Sequence, residues 1–363
     1  MTHSPLTIPT HVYEERREKL RAIMREEAIP AMLVSSAANR YYLSGFELHN
    51  SQCNETSGWL LITESKGDWL LTDPRFEDAA GRLWDKDKVF IYSGKKYEQL
   101  KKLLQTLELT NVAFDPDAIS VHELDGLNKA AAFYPESGHV EQLRVIKDSY
   151  EIKLMEASCK LNHQVMQDIE PMLQVGRTEA EISWEIEKLF REGGATEMAF
   201  PSIVGVNKNA ALPHAIPGSD IITENSLVLI DTGGRLGDYC SDQTRTFWVG
   251  NTVSDRFEEV KAQVQAAQQA AIDILKPEMT IADAYHAANM YFLEHNVAEY
   301  FTHSLGHGIG LETHEAPSVG PRSFTKLKTG MVITVEPGLY YSDWGGIRWE
   351  YELLITEDGA RIL

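Results

Sequence analysis

The sequence predicts a two-domain protein of mixed α/β class: a small α/β domain over residues 1–142, then an α+β domain over 143–363 whose halves are duplicated. Three observations predict it. The chain has 363 residues, beyond the ~100–200 of one compact domain. Its first part alternates short β-rich runs with helical stretches. Between Lys147 and Leu363 the order helix, helix, strand, strand occurs twice.

The elements follow in order. Val12–Ala28 is charged, carries Leu20, Ile23 and Met24 at helical spacing and stops before Pro30, so it predicts an amphipathic helix. Strands are expected at Ala31–Ser35, Gly58–Thr63, Asp68–Thr72, Val89–Tyr92 and Asn111–Phe114, and helices at Tyr97–Leu107 and Val121–Ala132. Around Glu141–Asp148 the text changes to a long helix with apolar positions Ile152, Leu154, Met155, Leu161 and Val165, which sets the domain boundary. A helix at Thr178–Glu192 and strands at Leu227–Asp231 and Cys240–Val249 come next. Helices at Val253–Leu275 and Ile281–His295 and strands at Met331–Glu336 and Ile347–Thr356 close the chain.

Composition excludes several classes. Hydrophobic residues at 43% and charged residues at 24% are ordinary for a globular chain and argue against disorder. Lys and Arg number 34 against 54 Asp and Glu, a net charge of −20. That balance repels phosphate backbones and anionic lipid, so neither nucleic acid nor a membrane is expected as a partner. Cys53, Cys159 and Cys240 have no C-x-x-C spacing, which suggests neither a disulfide framework nor a thiolate metal site and points to a reducing cytoplasm. The N-terminal segment has no apolar signal core, and no apolar run approaches ~20 residues.

The chemistry gathers in two hairpins and the loop between them. In LVLIDTGGRLGDYCSDQTRTFWV a turn centred on Leu236–Gly237 would set Asp231 and Asp242 opposite each other on one face. Such carboxylates repel, so they need a raised pKa, a cation or a metal; a solvent-facing pair at a hairpin end is the alternative. In MVITVEPGLYYSDWGGIRWEYELLIT a turn at Asp343 makes Glu336 and Glu350 cross-strand neighbours. Between the hairpins FTHSLGHGIGLETHEAP carries His303, His307 and His314, which alone would pass for a polar loop. Four carboxylates with at least one imidazole and no thiolate form a hard-ligand set suited to two divalent cations such as Mn²⁺, Co²⁺ or Zn²⁺.

At these residues the sequence resembles the metallopeptidase family of aminopeptidase P, prolidase and methionine aminopeptidase. The blocks are FPSIVGVNKNAALPH, LIDTGG…YCSDQTRTF, HSLGHGIGLETHEAP, GMVITVEPGLY and GIRWEYELLIT, running from about Leu143 to the C-terminus. The resemblance implies a pita-bread catalytic domain, and the residues before it resemble the creatinase-type N-terminal domain of the proline-directed branch. It makes Asp231, Asp242, His307, Glu336 and Glu350 metal ligands for two divalent ions per subunit, manganese first, with cobalt or zinc as alternatives. Asp242 and Glu350 would bridge, and Glu336 would also be the general base. His214 and His314 would stabilise the tetrahedral intermediate, with His214 and His303 lining the substrate pocket. Arg348 would project to the same face, support a ligand carboxylate and contact substrate. Cys240 is expected to pack rather than react. Tyr351 departs from the acidic residue usual after the last ligand.

The implied activity is hydrolysis of the bond between an N-terminal residue and proline by a homodimer acting on proline-containing peptides. Some prolidases of similar length carry Arg after HE-x-P, where this chain has Ser318, which favours an Xaa-Pro aminopeptidase over an Xaa-Pro dipeptidase. A non-catalytic binding protein on the same fold is the reading from another class. The segment GFELHNSQCNETSGW, with His49 and Glu55, is a candidate for control of peptide length.

Overall fold

The computed structural model describes residues 7–48 and 56–363; His49, Cys53 and Glu55 lie outside the described residues. The described chain divides into two compact units, Ile8–Arg144 and Val145–Leu363, the second joined by Thr7. Among the described residues no helix is long and apolar enough to cross a membrane.

The first unit contains α1 (Thr10–Glu26), β1 (Ala31–Val34), α2 (Ala37–Ser44), β2 (Trp59–Thr63), β3 (Trp69–Thr72) and α3 (Glu77–Leu83). It continues with β4 (Val89–Ile91), α4 (Lys96–Thr106), β5 (Asn111–Phe114), α5 (Val121–Leu127), β6 (Ala132–Pro135) and α6 (Glu141–Arg144). Its six strands form one mixed sheet in the order β4-β3-β2-β1-β5-β6. Helix α1 buries Leu20 and Met24 as the sequence predicts, together with Val12 and Arg16, while Ile23 is only partly buried. The helix expected to run to Ala132 instead ends at Leu127. Ala132 pairs in parallel with Asn111, so the sheet edge recruits residues whose local pattern is helical.

The second unit begins with α7 (Ser149–Ile169) and α8 (Glu179–Glu192). Asp148 and Glu151 close a capping box at the start of α7, as Thr178 and Glu181 do for α8. Strands β7 (Glu197–Met198), β8 (Ile203–Val206), β9 (Ser226–Thr232), β10 (Gly234–Leu236), β11 (Tyr239–Cys240) and β12 (Gln243–Val249) follow. Helices α9 (Asp255–Ile272) and α10 (Ile281–Glu294) come next. The chain ends with β13 (Gly306–Gly308), β14 (Glu315–Val319), β15 (Val332–Val335), β16 (Gly338–Tyr341), β17 (Gly345–Arg348), β18 (Tyr351–Ile355) and β19 (Ala360–Ile362).

Each half of this unit buries two helices against an antiparallel sheet. Val165, Ile169, Ile182, Ile186 and Phe190 meet Val204, Val228 and Ile230 in the first half. Phe257, Val264, Ala284 and Phe292 meet Ile333 and Leu353 in the second. Both sheets turn hydrophobic faces to their helices, which leaves polar side chains of β9, β12, β13 and β15 for the other face.

Candidate metal centre

Two hairpins and one short strand supply the site. In the first, Leu236 pairs with Tyr239 and Asp231 with Thr244. The turn is therefore Gly237–Asp238, both at positive φ (59° and 71°), as a two-residue primed turn requires. The sequence-based centre at Leu236–Gly237 is off by one residue, so Asp242 is not opposite Asp231. It lies diagonally, two residues from Thr244, still on the same face. In the second hairpin Val335 pairs with Tyr351 and Gly338 with Arg348, which puts Glu336 opposite Glu350 where the chain passes from one sheet to the next.

Backbone and side chain tie the hairpins together. Glu350 N donates to Thr244 O at 3.3 Å, and Arg245 Nη1 donates to the carbonyls of both Thr244 and Glu350. The Arg245 guanidinium lies over the rings of Trp349 and Tyr351, so Tyr351 helps to hold this joint. The Gly-rich segment forms β13, between β14 and β15. A Cβ at Gly306 would meet Thr334 O at 2.1 Å, so only glycine lets the strand carry His307 this close to β15.

The result is a cleft of about 960 Å³ lined by Asp231, Asp242, His214, His303, His307, His314, Glu336 and Arg348. His307 Nε2 is 3.6 Å from Asp242 Oδ2 and 3.4 Å from Glu336 Oε1. Asp242, His307 and Glu350 present ligand atoms within 4.8 Å of one another. His307 Nδ1 is 3.0 Å from Gly308 O, an acceptor only, so this nitrogen carries the proton and Nε2 keeps its lone pair. Burial and the neighbouring His314, whose ring centroid is 4.1 Å away, push the His307 pKa down to about 4. His214 lies in an exposed loop at the rim.

The carboxylates are strained electrostatically. Burial and mutual repulsion raise Asp242 and Glu350 well above the usual carboxylate range. Burial pushes Glu336 up to about 8, with Asp231 adding to it and Arg348 opposing. Arg348 is buried and occupied: Nη2 donates to Asp231 Oδ2 at 2.6 Å, Nε to Thr244 Oγ1 and Nη1 to Tyr340 OH. Tyr340 in turn contacts His303 Nε2 at 2.8 Å, while Thr244 donates to Glu350 Oε2 at 2.7 Å.

Buried oxygens without a hydrogen-bond partner test whether a metal fits. Asp231 Oδ1, Asp242 Oδ1 and Glu350 Oε1 are all of this kind, each on a carboxylate that uses its other oxygen or faces His307. Such oxygens are costly unless a cation meets them, and oxygen with imidazole is a donor set for divalent ions. The residues fit the group.

Sequence reasoning missed four supports. Thr244 takes the cross-strand position assigned to Asp242; Tyr340 links Arg348 to His303. Glu352 accepts the Asp242 N–H at 2.6 Å, which places an acid two residues after Glu350 rather than at Tyr351. Lys147 pairs with Glu315 at 3.5 Å, both buried, and anchors the loop of His314. A second acid on the same strand face as Glu350 was the available signal for Glu352. Cys240 is fully buried with its thiol pushed up to about 12 by burial, a packed and unreactive state.

Comparison with known proteins agrees in both units. The model of metallopeptidase family M24 matches residues 153–357, and that of the creatinase/prolidase N-terminal domain matches 16–146. An Xaa-Pro dipeptidase of Pyrococcus furiosus is 32% identical over 96% of this chain and 97% of its own. The structure of an Xaa-Pro dipeptidase from Bacillus anthracis superposes with TM-score 0.90 at 32% identity, covering 96% of this chain and 97% of the other. That of an X-Pro aminopeptidase from Thermotoga maritima gives 0.86 at 30%, covering 95% and 96%. A creatinase-type domain followed in sequence by a pita-bread catalytic unit, with a carboxylate- and histidine-lined cleft in the matched region, makes this chain a member of metallopeptidase family M24 in its proline-directed branch.

Proposed function

We propose that the chain is an Xaa-Pro dipeptidase, a cytoplasmic homodimer that binds two divalent ions per subunit, manganese first. The observation that carries the chemistry is the set of partnerless buried oxygens on Asp231, Asp242 and Glu350 around His307 and Glu336. Likeness to dipeptidases along nearly the whole chain supports the substrate. Cys159 and Cys240, both buried free thiols, agree with a reducing compartment.

Asp231, Asp242, His307, Glu336 and Glu350 would hold the ions. Bound there, divalent ions would lower the pKa of a coordinated water towards neutrality and polarise the scissile carbonyl. Glu336 takes the proton of the attacking water and passes it to the leaving proline nitrogen. His214 and His314 donate to the oxygen that gains charge in the transition state. His303, kept neutral by burial and Arg348 with its pKa down at about 4, lines the substrate side. Arg348 holds Asp231 in place through its 2.6 Å contact.

A second reading, an Xaa-Pro aminopeptidase, is favoured by Ser318, which lines the cleft where some dipeptidases carry Arg. Arg348 is the sole Lys or Arg among the described lining residues, and its nitrogens already serve Asp231, Thr244 and Tyr340. A dipeptide's carboxylate then lacks a bidentate partner in the cleft. Matched Xaa-Pro and Xaa-Pro-Xaa substrates decide between the readings: a dipeptidase has the higher kcat/KM for the dipeptide, and equal or better cleavage of the tripeptide overturns that reading.

A further inference from the structure

Among the described residues one other trio of metal-ligating side chains converges, and it lies wholly in the first unit: Glu27, Glu136 and His139. Glu27 follows α1, Glu136 follows β6, and His139 stands three residues beyond Glu136. The His139 side chain is only 7% exposed, and its Nε2, closed off from solvent, has no hydrogen-bond partner. Yet it faces Glu27 Oε2 at 3.3 Å and Glu136 Oε2 at 3.6 Å.

Both distances are longer than a charge-assisted hydrogen bond. A hydrogen bond from imidazole to carboxylate brings the oxygen to about 2.7–2.9 Å, along the N–H direction. Ligands held about 2.0–2.1 Å from a tetrahedral ion stand about 3.3–3.4 Å apart, which is the Glu27 distance, with Glu136 slightly beyond it. One imidazole and two carboxylates are a borderline-hard set, and the carboxylate side chains, 48% and 39% exposed, leave a path for the ion and for water as a fourth ligand. We propose that Glu27, Glu136 and His139 form a second metal site, for Zn²⁺ or a similar divalent ion, separate from the catalytic cleft. Bound there, the ion ties the end of α1 to the segment after the edge strand β6 and stabilises the first unit by favouring its folded form.

Equilibrium dialysis of the full chain against Zn²⁺ followed by metal analysis tests this. Glu27→Gln, Glu136→Gln and His139→Asn should each bind one ion fewer per chain than the unsubstituted protein, whatever number the cleft holds. Asp242→Asn, which alters the cleft alone, should keep that ion, and added Zn²⁺ should raise its melting temperature more than that of the Asp242→Asn/Glu27→Gln double variant. Glu27 is largely exposed, so its amide variant is expected to fold, and circular dichroism verifies that. Equal stoichiometry in the unsubstituted protein and all three site variants overturns the proposal.

Discussion

Glu336 is where burial and chemistry meet at the scale of one residue. Its carboxyl, pushed up to about 8, is a poor base when the cleft lacks cations and becomes an effective one when positive charge offsets Asp231 and its own burial. Glu336→Gln should lower kcat by ~10²–10⁴ with little change in KM. Steady-state kinetics beside metal analysis checks this; near-normal turnover with metals still bound would mean that another group takes the proton. Arg348 poses a different question, because its contact with Asp231 is buried on both sides. In metal-free protein Arg348→Met should cost roughly 3–5 kcal/mol, since it leaves a buried carboxylate unpaired. Added divalent ion should recover part of that loss in urea denaturation, whereas equal loss with and without metal would make Arg348 a packing residue.

At the scale of an element, the first hairpin sets the spacing of the site through its turn. Gly237 at φ 59° and Asp238 at φ 71° fix the pairing that sends Thr244 to Asp231 and leaves Asp242 on the diagonal. A β-branched residue tolerates that region poorly, so Gly237→Val should cost ~1–3 kcal/mol and weaken metal binding through a disturbed register. Asp238→Gly keeps the turn and should leave both nearly unchanged. Thermal melts with metal titration check the pair, and unchanged metal affinity in Gly237→Val would show that the register is held by the sheet rather than by the turn. The Asp148 cap is a milder case: Asp148→Ala should cost ~1 kcal/mol by exposing the amides at the start of α7, read as a shift in urea midpoint.

Over the whole molecule the cleft makes stability depend on pH. Glu336 and Glu352 are both pushed up to about 8, chiefly by burial, from an ordinary value of 4.5. Metal-free folded protein therefore holds protons that the unfolded chain has released, and the stability this contributes is complete below pH 4.5 and lost as pH rises through 8. His303 and His307, pushed down to about 4, act in the opposite sense, but only below their ordinary 6.5. Chelator-treated protein should thus melt several degrees lower at about pH 9 than at about pH 7. Metal-loaded protein should show a smaller or reversed trend, because its ligands are already deprotonated. A melting temperature of the metal-free protein that is flat or rising over this interval would contradict the raised carboxyls.

The sequence by itself determined the class of both units, the family and the residues that gather in the cleft. Carboxylates on apolar strands and histidines between glycines are chemically conspicuous, and their spacing survives small errors in element bounds. It also located the Glu336–Glu350 pairing, because a hairpin's midpoint fixes its register. Only the tertiary structure decided the rest. The turn at Gly237–Asp238 rather than one residue earlier, the strand at Ala132–Pro135 and the roles of Thr244, Tyr340 and Glu352 depend on partners far away in sequence. So does the placing of His139 against Glu27, at the far end of the first unit's sequence. Local pattern specifies which face a residue takes, but contacts between distant segments set the distances at which charge, burial and unpaired nitrogen or oxygen become chemistry.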